Sequence, residues 1–489
     1  MRNEPCPNGV LVGVGSANQD CPAGEGFDAV ELMIEAARAA GRDTGAPQVL
    51  QRVERVLVTQ GTWKARDAGA TIAGAIGAAD ASSVFVQLGI PQQALIDQAL
   101  HGISSGEVGV VMVVGGEAKA RDDRARRAGT TLAATVDSDR DPDEVQTPQS
   151  EIVARAEAKV GFVVPVQQYA AIDNALRRAE HATVEDHLAQ IDSLWARFDR
   201  AAGANPSAAF AGGRAAHQLR SNADGNRMLA FPYNKWHATQ WSVDQAAAII
   251  LCAESVADEL GIERERRIHP LVSLESSHSL TLTRRALLHR WPAMHVLGAA
   301  AESHLGQRLR DLDLVELYSC FPAAVRVQQR ELGLPLDATP TLTGGMPFAG
   351  GPFNNFVFQA TARMVDELRN RPGTRGLITT VSGLLTKPGL AVWSSDAGDR
   401  TPLLADLAVD AAEATPQRPI ADDYSGPATV ATYTVRPTID GGVEIVAIAD
   451  TPANERVAVT ISDPDLAEQA CTHEFIGTTI DVAGTTARA

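Results

Sequence analysis

Residues 84–119 read VFVQLGIPQQALIDQALHGISSGEVGVVMVVGGEAK. A short apolar run, 84–88, is broken by Gly89, and Pro91 then suits a first helical turn, where a missing N–H costs nothing. Ala94, Leu95, Ala99 and Ile103 recur at helical spacing, with Gln98 the one polar exception on that face. Ser104-Ser105-Gly106 ends the helix, glycine supplying a left-handed stop. Residues 108–114 are then continuously apolar, as in a strand buried on both faces of a sheet. Strand, tight turn, helix and buried strand make a β-α-β unit. In such folds a ligand sits at the carboxyl end of the strand, over the helix N-terminus. That point is Gly89.

The rest of the chain extends this pattern. Residues 9–14 and 53–58 read as strands, and 27–40 and 68–76 as helices, so the first part is a mostly parallel sheet between helical layers. Residues 120–143 are charged and broken and read as a solvated loop, and 152–200 as helical. A second series of β-α units follows. Its strands are 269–274, 314–317, 377–381 and 390–393, with helices at 284–301, 323–332 and 354–369. Residues 416–427, rich in Pro and Asp, read as a linker. Beyond it, strands at 428–435, 443–449, 457–461 and 475–482, with a helix opened by Asp463-Pro464, make a small α+β domain.

Composition bounds the function. The 489 residues are enough for about three domains on a prior of ~150 residues each. A net charge of −17 excludes the basic surface that nucleic acid or an anionic membrane would need. Cys6, Cys21, Cys252, Cys320 and Cys471 are scattered without metal-binding spacing, which indicates a reducing cytoplasm and no metal. No signal peptide and no apolar run of membrane-spanning length is present.

Four motifs carry a family resemblance. ISSGEVGVVMVVGGEAK (residues 103–119), VELYSCF (315–321), GGMPFAGGP (344–352) and TTVSGLLTKPG (379–389) occur in that order. They resemble, in turn, the thiolase superfamily's IxxG…GGxE stretch, its NEAF or HDCF motif, its Gly-rich loop ending in GHP, and its CxG segment. The insertion is similar to that of sterol-carrier-protein-linked thiolases, with a Tyr-Ala-rich helix and the NPSAAF segment at 205–210. With the appended domain, the chain most resembles thiolase-like protein type 1. The resemblance implies an α/β thiolase fold of two β-α-β-α-β-type halves with an inserted helical loop domain. The N-terminal half then comprises 1–119 and 239–265, the insertion 120–238, the C-terminal half 266–412, and the additional α+β domain, of split β-α-β form, 425–489.

The resemblance also locates the site. Counting back from Gly106 puts the family's nucleophilic Cys at Gly89. Its Asn or His that holds a catalytic water falls on Tyr318, the His of GHP on Gly351 and the base Cys of CxG on Val381. A thiolase needs a low-pKa Cys and a second Cys or His, so the expectation is a protein that binds CoA or acyl-CoA, needs no cofactor and lacks thiolase (acetyl-CoA acetyltransferase) chemistry. Backbone N–H groups of Gly89 and Gly383 match the family's oxyanion hole, and glycine at 89 and 351 is expected to leave extra room. The rival reading is an enzyme of lipid metabolism, an acyltransferase or a retro-aldol lyase on acyl-CoA, with Tyr318 as base. A third is a pure interaction protein. Cys320 reads as structural. Ser319 would need His278 or His295 brought near it. Trp236, His237 and Trp241 are either pocket wall or core. The type 1 resemblance implies a monomer whose extra domain covers the surface that a second subunit covers in thiolase dimers, near 84–88.

Overall fold

The structure is a computed structural model that describes residues 8–132 and 138–489. Strands β1 (Gly9–Asn18), β2 (Arg55–Thr59), β3 (Ser82–Val86), β4 (Val110–Ala118) and β5 (Glu144–Gln146) belong to a first sheet. After the small hairpin β6 (Met228–Ala230) and β7 (Tyr233–Asn234), β8 (Asp244–Ala253) completes it. The order is β1-β8-β4-β2-β3-β5. Every residue of β4 and β8 is buried, as their unbroken apolar and small-residue runs require of strands covered on both faces. A Cβ on Gly116 would lie 2.7 Å from that of Ala246 on β8, so the paired glycines mark a close approach of strands.

The second sheet holds β9 (His269–Glu275), β10 (Leu314–Glu316), β11 (Arg375–Ser382), β12 (Lys387–Ser394) and β13 (Leu403–Asp406), in the order β10-β11-β12-β9-β13. The two sheets repeat one pattern. In each, the first strand pairs antiparallel with the last long strand, that strand pairs antiparallel with the one before it in the sheet, and this one pairs parallel with a fourth. Helices Gln92–Ser104 and Phe356–Arg369 occupy equivalent places in the two series and lie between the sheets, touching strands of both. Helix Ala29–Asp43 covers the outer face of the first sheet. Asp28 and Glu31 start it with a capping box: Asp28 accepts from the Val30 and Glu31 amides at 2.9 Å, and Glu31 accepts from the Asp28 amide at 2.8 Å.

The free edge of β3 is closed by the chain itself. β5 pairs with it in parallel, Val84 opposite Glu144 and Val86 opposite Gln146, and Asp143 accepts from the Ser83 amide at 2.8 Å. An edge that would otherwise invite a second chain is thereby used up. This corrects the expectation that the additional domain protects it. That domain sits elsewhere, on helix Pro165–Ala179 of the insertion, where Asn174 donates to Tyr433 O at 3.0 Å and Arg436 to Gly161 O at 2.7 Å.

The domain differs from the expected split β-α-β form. Strands β14 (Ser425–Pro437), β15 (Val443–Asp450), β16 (Arg456–Ile461), β17 (Thr479–Ala483) and β18 (Thr486–Arg488) close a barrel in the order β14-β15-β16-β18-β17, with helix Pro464–Ala470 between β16 and β17. The 13-residue β14 pairs along one half with β17 and along the other with β15, which allows closure. That is the five-stranded Greek-key arrangement of an OB-type barrel. The stretch at 416–427 is also pinned: Gln417 and Ile420 bridge to Arg285 and Arg456. A further correction concerns 120–143. Residues Lys119–Ala128 are helical, stopped by Gly129 in the left-handed region, and Arg121 is buried. Residues 133–137 of that stretch lie outside those described.

Candidate functional site: an apolar cleft around Gly89

Six segments from both halves and the insertion meet at a cleft of about 560 Å³. Gly89, Tyr318, Gly351, Val381 and Gly383, all singled out from the sequence, line it together. Its other walls come from Ile152, Val164, Tyr169, Trp241, Phe321 and Leu384 among others, and no charged side chain lines it among the described residues.

At the cleft's polar end the backbone does the work. Gly89 has φ +106°, Gly383 φ +69°, conformations that favour glycine. Neither amide donates a hydrogen bond to a described residue. Among the described residues both N–H groups are thus unpartnered, and both glycines line the cleft. Behind Gly89 lies Lys387, 2% exposed, whose Nζ donates to the Gly89 carbonyl and sits 3.5 Å from Ser150 Oγ. Burial lowers the Lys387 pKa. Nothing in TTVSGLLTKPG signalled that this lysine would be buried.

The expectation of spare room at the two glycines is overturned. A Cβ on Gly351 would lie 2.3 Å from Thr239 Cγ2 and 3.1 Å from Met346 Cβ. One on Gly89 would lie 3.1 Å from Pro148 Cβ and Cγ. Neighbouring side chains fill the places where side chains would point.

Three ionisable side chains line the cleft: Tyr169, whose hydroxyl accepts from the Leu385 amide at 3.1 Å and whose pKa burial raises, Tyr318 and Cys320. The Tyr318 ring packs edge-on against Phe356, with 5.9 Å between centroids, and its hydroxyl has no partner among the described residues. Burial, and then the nearby Cys320, raise its pKa above the usual phenol value, the opposite of what a phenolate base needs. The Cys320 thiol is pushed up by burial to about 12, so it stays protonated. Beneath VELYSCF, buried Glu316 holds the Gly-rich loop, accepting from the Leu342 and Thr343 amides and from the Thr341 and Thr343 hydroxyls. Burial raises its pKa to about 7 despite these bonds.

The remaining candidates separate. Trp241 lies at the cleft mouth, 48% exposed, with Lys119 Nζ 4.4 Å from its ring centroid. Trp236 stacks on Phe348, and His237 is buried with Nε2 2.8 Å from Asp192, so both are core. Ser319 Oγ accepts from the Met346 amide, and His295 is turned to the Glu331 carbonyl, so no triad forms. Sequence reasoning missed Ile152, Val164, Tyr169 and Leu229. The one signal for them was the apolar VVP ahead of the Tyr-Ala helix, whose Val163 and Val164 are 46% and 44% exposed. Among the described residues, no group of His, Cys, Asp or Glu is placed to hold a metal, and no helix is long and apolar enough to cross a membrane.

Among solved structures, a monomeric SCP2-thiolase-like protein type 1 from Mycobacterium smegmatis is 27% identical, with 99% of each chain covered and a TM-score of 0.83. This chain has the thiolase fold. The thiolase-like architecture also matches an Ltp2-ChsH2(DUF35) aldolase (18% identity, 80% of this chain and 99% of that one, TM-score 0.59). Human mitochondrial 3-ketoacyl-CoA thiolase matches similarly (16% identity, 81% and 100%, TM-score 0.57). These last two likenesses concern the fold alone. No family model and no curated protein matches the sequence. The thiolase-like halves are the two sheets and their central helices, and the cleft lies where the two halves and the insertion meet.

Proposed function

We propose that this thiolase-like protein binds an acyl-CoA, with the thioester carbonyl at the Gly89 and Gly383 amides, and does not carry out thiolase chemistry. The observation that carries the reading is that the Gly89 and Gly383 amides donate to no described residue beside a cleft whose one thiol, Cys320, stays protonated. Thiolase turnover needs a thiolate to accept the acyl group and a second group to move a proton. Gly89, Gly351 and Val381 offer neither. The groups that titrate in the cleft, Tyr169, Tyr318 and Cys320, are all shifted away from their ionised forms. What remains is recognition: backbone donors for the carbonyl oxygen and apolar walls for the acyl chain. The protein acts as a cytoplasmic monomer in lipid metabolism on this reading, with β5 occupying the edge at which a partner would pair.

Titration calorimetry with an acyl-CoA series, together with an assay for thiolytic cleavage of acetoacetyl-CoA, tests both parts. Binding without cleavage is expected. Turnover that survives Cys320→Ala would refute the inactive half of the proposal. Absence of binding by every CoA ester would leave an interaction protein. A retro-aldol lyase is the second reading, favoured by the unpartnered Tyr318 hydroxyl and by the fold's likeness to an aldolase. In it, the Cα–Cβ bond breaks as the substrate's β-hydroxyl gives its proton to the Tyr318 oxygen and the Tyr318 proton passes to the departing α-carbon, so the phenol ends neutral as it began. Mass spectrometry of acyl-CoA esters incubated with wild type and Tyr318→Phe separates it: a Tyr318-dependent cleaved product supports it and unchanged esters reject it.

A further inference from the structure

A second, much smaller cleft, of about 20 Å³, lies between the loop after β9 and the start of helix Pro292–Leu305. Arg285, 5% exposed, reaches it. Its Nε donates to Leu280 O at 3.2 Å and its Nη2 to Leu384 O, but its Nη1 is buried without any partner. Arg285 makes no ion pair among the described residues. Burial lowers its pKa to about 10, and Glu157, the acid that opposes this, is committed to the Ala154 and Thr283 amides and the Thr283 hydroxyl. A buried guanidinium with an unused N–H and no carboxylate is costly unless an anion meets it.

Two further orphan nitrogens line the same cleft. Helix Pro292–Leu305 has no side-chain N-cap; Pro292 has no N–H, and the Ala293 amide donates to no described residue. His278 Nε2 is buried and unpartnered. Arg290 stands nearby, held with the Trp291 amide by Glu331, which occupies that carboxylate. The cleft thus gathers a buried cation, a helix N-terminus and an imidazole nitrogen in a chain of net charge −17.

We propose that this cleft is a binding site for a small monovalent anion of the chloride class. An anion accepts from every orphan at once, and the helix N-terminus adds favourable field. A water would also need acceptors for both of its own protons; the orphan Arg285 and Ala293 groups only donate, and His278 Nε2 could take one proton at most. The volume suits a single small ion, since ~10–15 Å³ already admits one water. Through Arg285 Nη2 the ion steadies the Leu384 carbonyl, one residue beyond the Gly383 amide of the acyl cleft. This last step rests on the proposed function; the site itself does not.

Crystals of the full chain grown in sodium bromide test the site directly. An anomalous peak within hydrogen-bond reach of Arg285 Nη1 is expected, and it should vanish in Arg285→Gln. If that variant does not fold, His278→Ala supplies the comparison, with a weakened peak expected. In solution, chloride against gluconate at fixed ionic strength should give a saturable rise in melting temperature that His278→Ala reduces. A water at the site in bromide crystals, or a melting temperature that responds equally to both anions, would overturn the proposal.

Discussion

Gly351→Ala separates a site that has been rebuilt from one that has merely lost its side chains. An added Cβ would stand 2.3 Å from Thr239 Cγ2, where ordinary contact is 3.4–4 Å, so something must move by about an ångström. Thr239 cannot simply swing away. Its amide and its hydroxyl both donate to Cys320 O at 3.0 Å, and a rotamer change gives up the hydroxyl bond, ~1 kcal/mol. Gly351 does not have a positive φ, so the penalty is steric and not conformational. Overpacking of this kind costs ~1–3 kcal/mol. Thr239→Ser removes the obstructing methyl and keeps the hydroxyl, so the double variant should recover ~1–2 kcal/mol of that loss, a coupling typical of residues in contact. Urea unfolding followed by tryptophan fluorescence, with the slope checked for constancy, measures both steps. A Gly351→Ala protein within ~0.5 kcal/mol of wild type, the usual range for substitutions that touch no special feature, would refute the reasoning. So would a Thr239→Ser background that gives no relief.

Returning a cysteine to position 89 should not revive thiolysis: φ +106° and Pro148 at 3.1 Å oppose any side chain, at a cost of ~1–3 kcal/mol. Acetoacetyl-CoA cleavage by Gly89→Cys checks this. Replacing residues 144–146 by glycine should free the β3 edge and, on the proposed monomeric reading, give associating species in size-exclusion chromatography with light scattering. Removing everything after Pro416 should also promote aggregation, now because it bares helix Pro165–Ala179, and a well-behaved monomer from either change would contradict its premise. A pH effect is expected between the central helix and the second sheet. Burial, and then other nearby carboxylates, raise the pKa values of Asp97 and Glu275. Acids raised in the folded state contribute stability that is full below the ordinary carboxylate range and is lost as pH rises through their folded values. Stability should fall from acid towards mildly alkaline pH, and Glu275→Gln should flatten that fall; an unchanged slope in denaturant unfolding would reject the assignment.

Much of this architecture was legible because it is written in local pattern. Unbroken apolar runs such as AAAIILC and VVMVV have one physical outcome, a strand covered on both faces. The motifs at strand ends likewise brought Gly89, Tyr318, Gly351 and Val381 to one cleft. What escaped depends on partners distant in the chain. Barrel closure turns on β18, three residues with one buried alanine, too short to register as a strand. The helix at Lys119–Ala128 was hidden by its charges, although Gly129 supplies a left-handed stop. Nothing local places the Lys387 ammonium on the Gly89 carbonyl, because the two residues lie 298 positions apart.

The glycines make the same point for function. A glycine where a family keeps a reactive side chain says that the side chain is gone, but not what became of its space. That depends on Pro148 beside Gly89 and on Thr239 beside Gly351, residues from the insertion and its far boundary that the motifs do not contain. With these neighbours in place, and on the proposed reading, gaining thiolase chemistry requires changes at paired positions. Gly351 would need Thr239 trimmed, and Gly89 would need Pro148 to give by a few tenths of an ångström and the φ of +106° relieved. A Cβ at Gly351 meets Thr239 and one at Gly89 meets Pro148 on a left-handed backbone, so on the proposed reading packing as well as the missing groups opposes thiolase chemistry at this cleft.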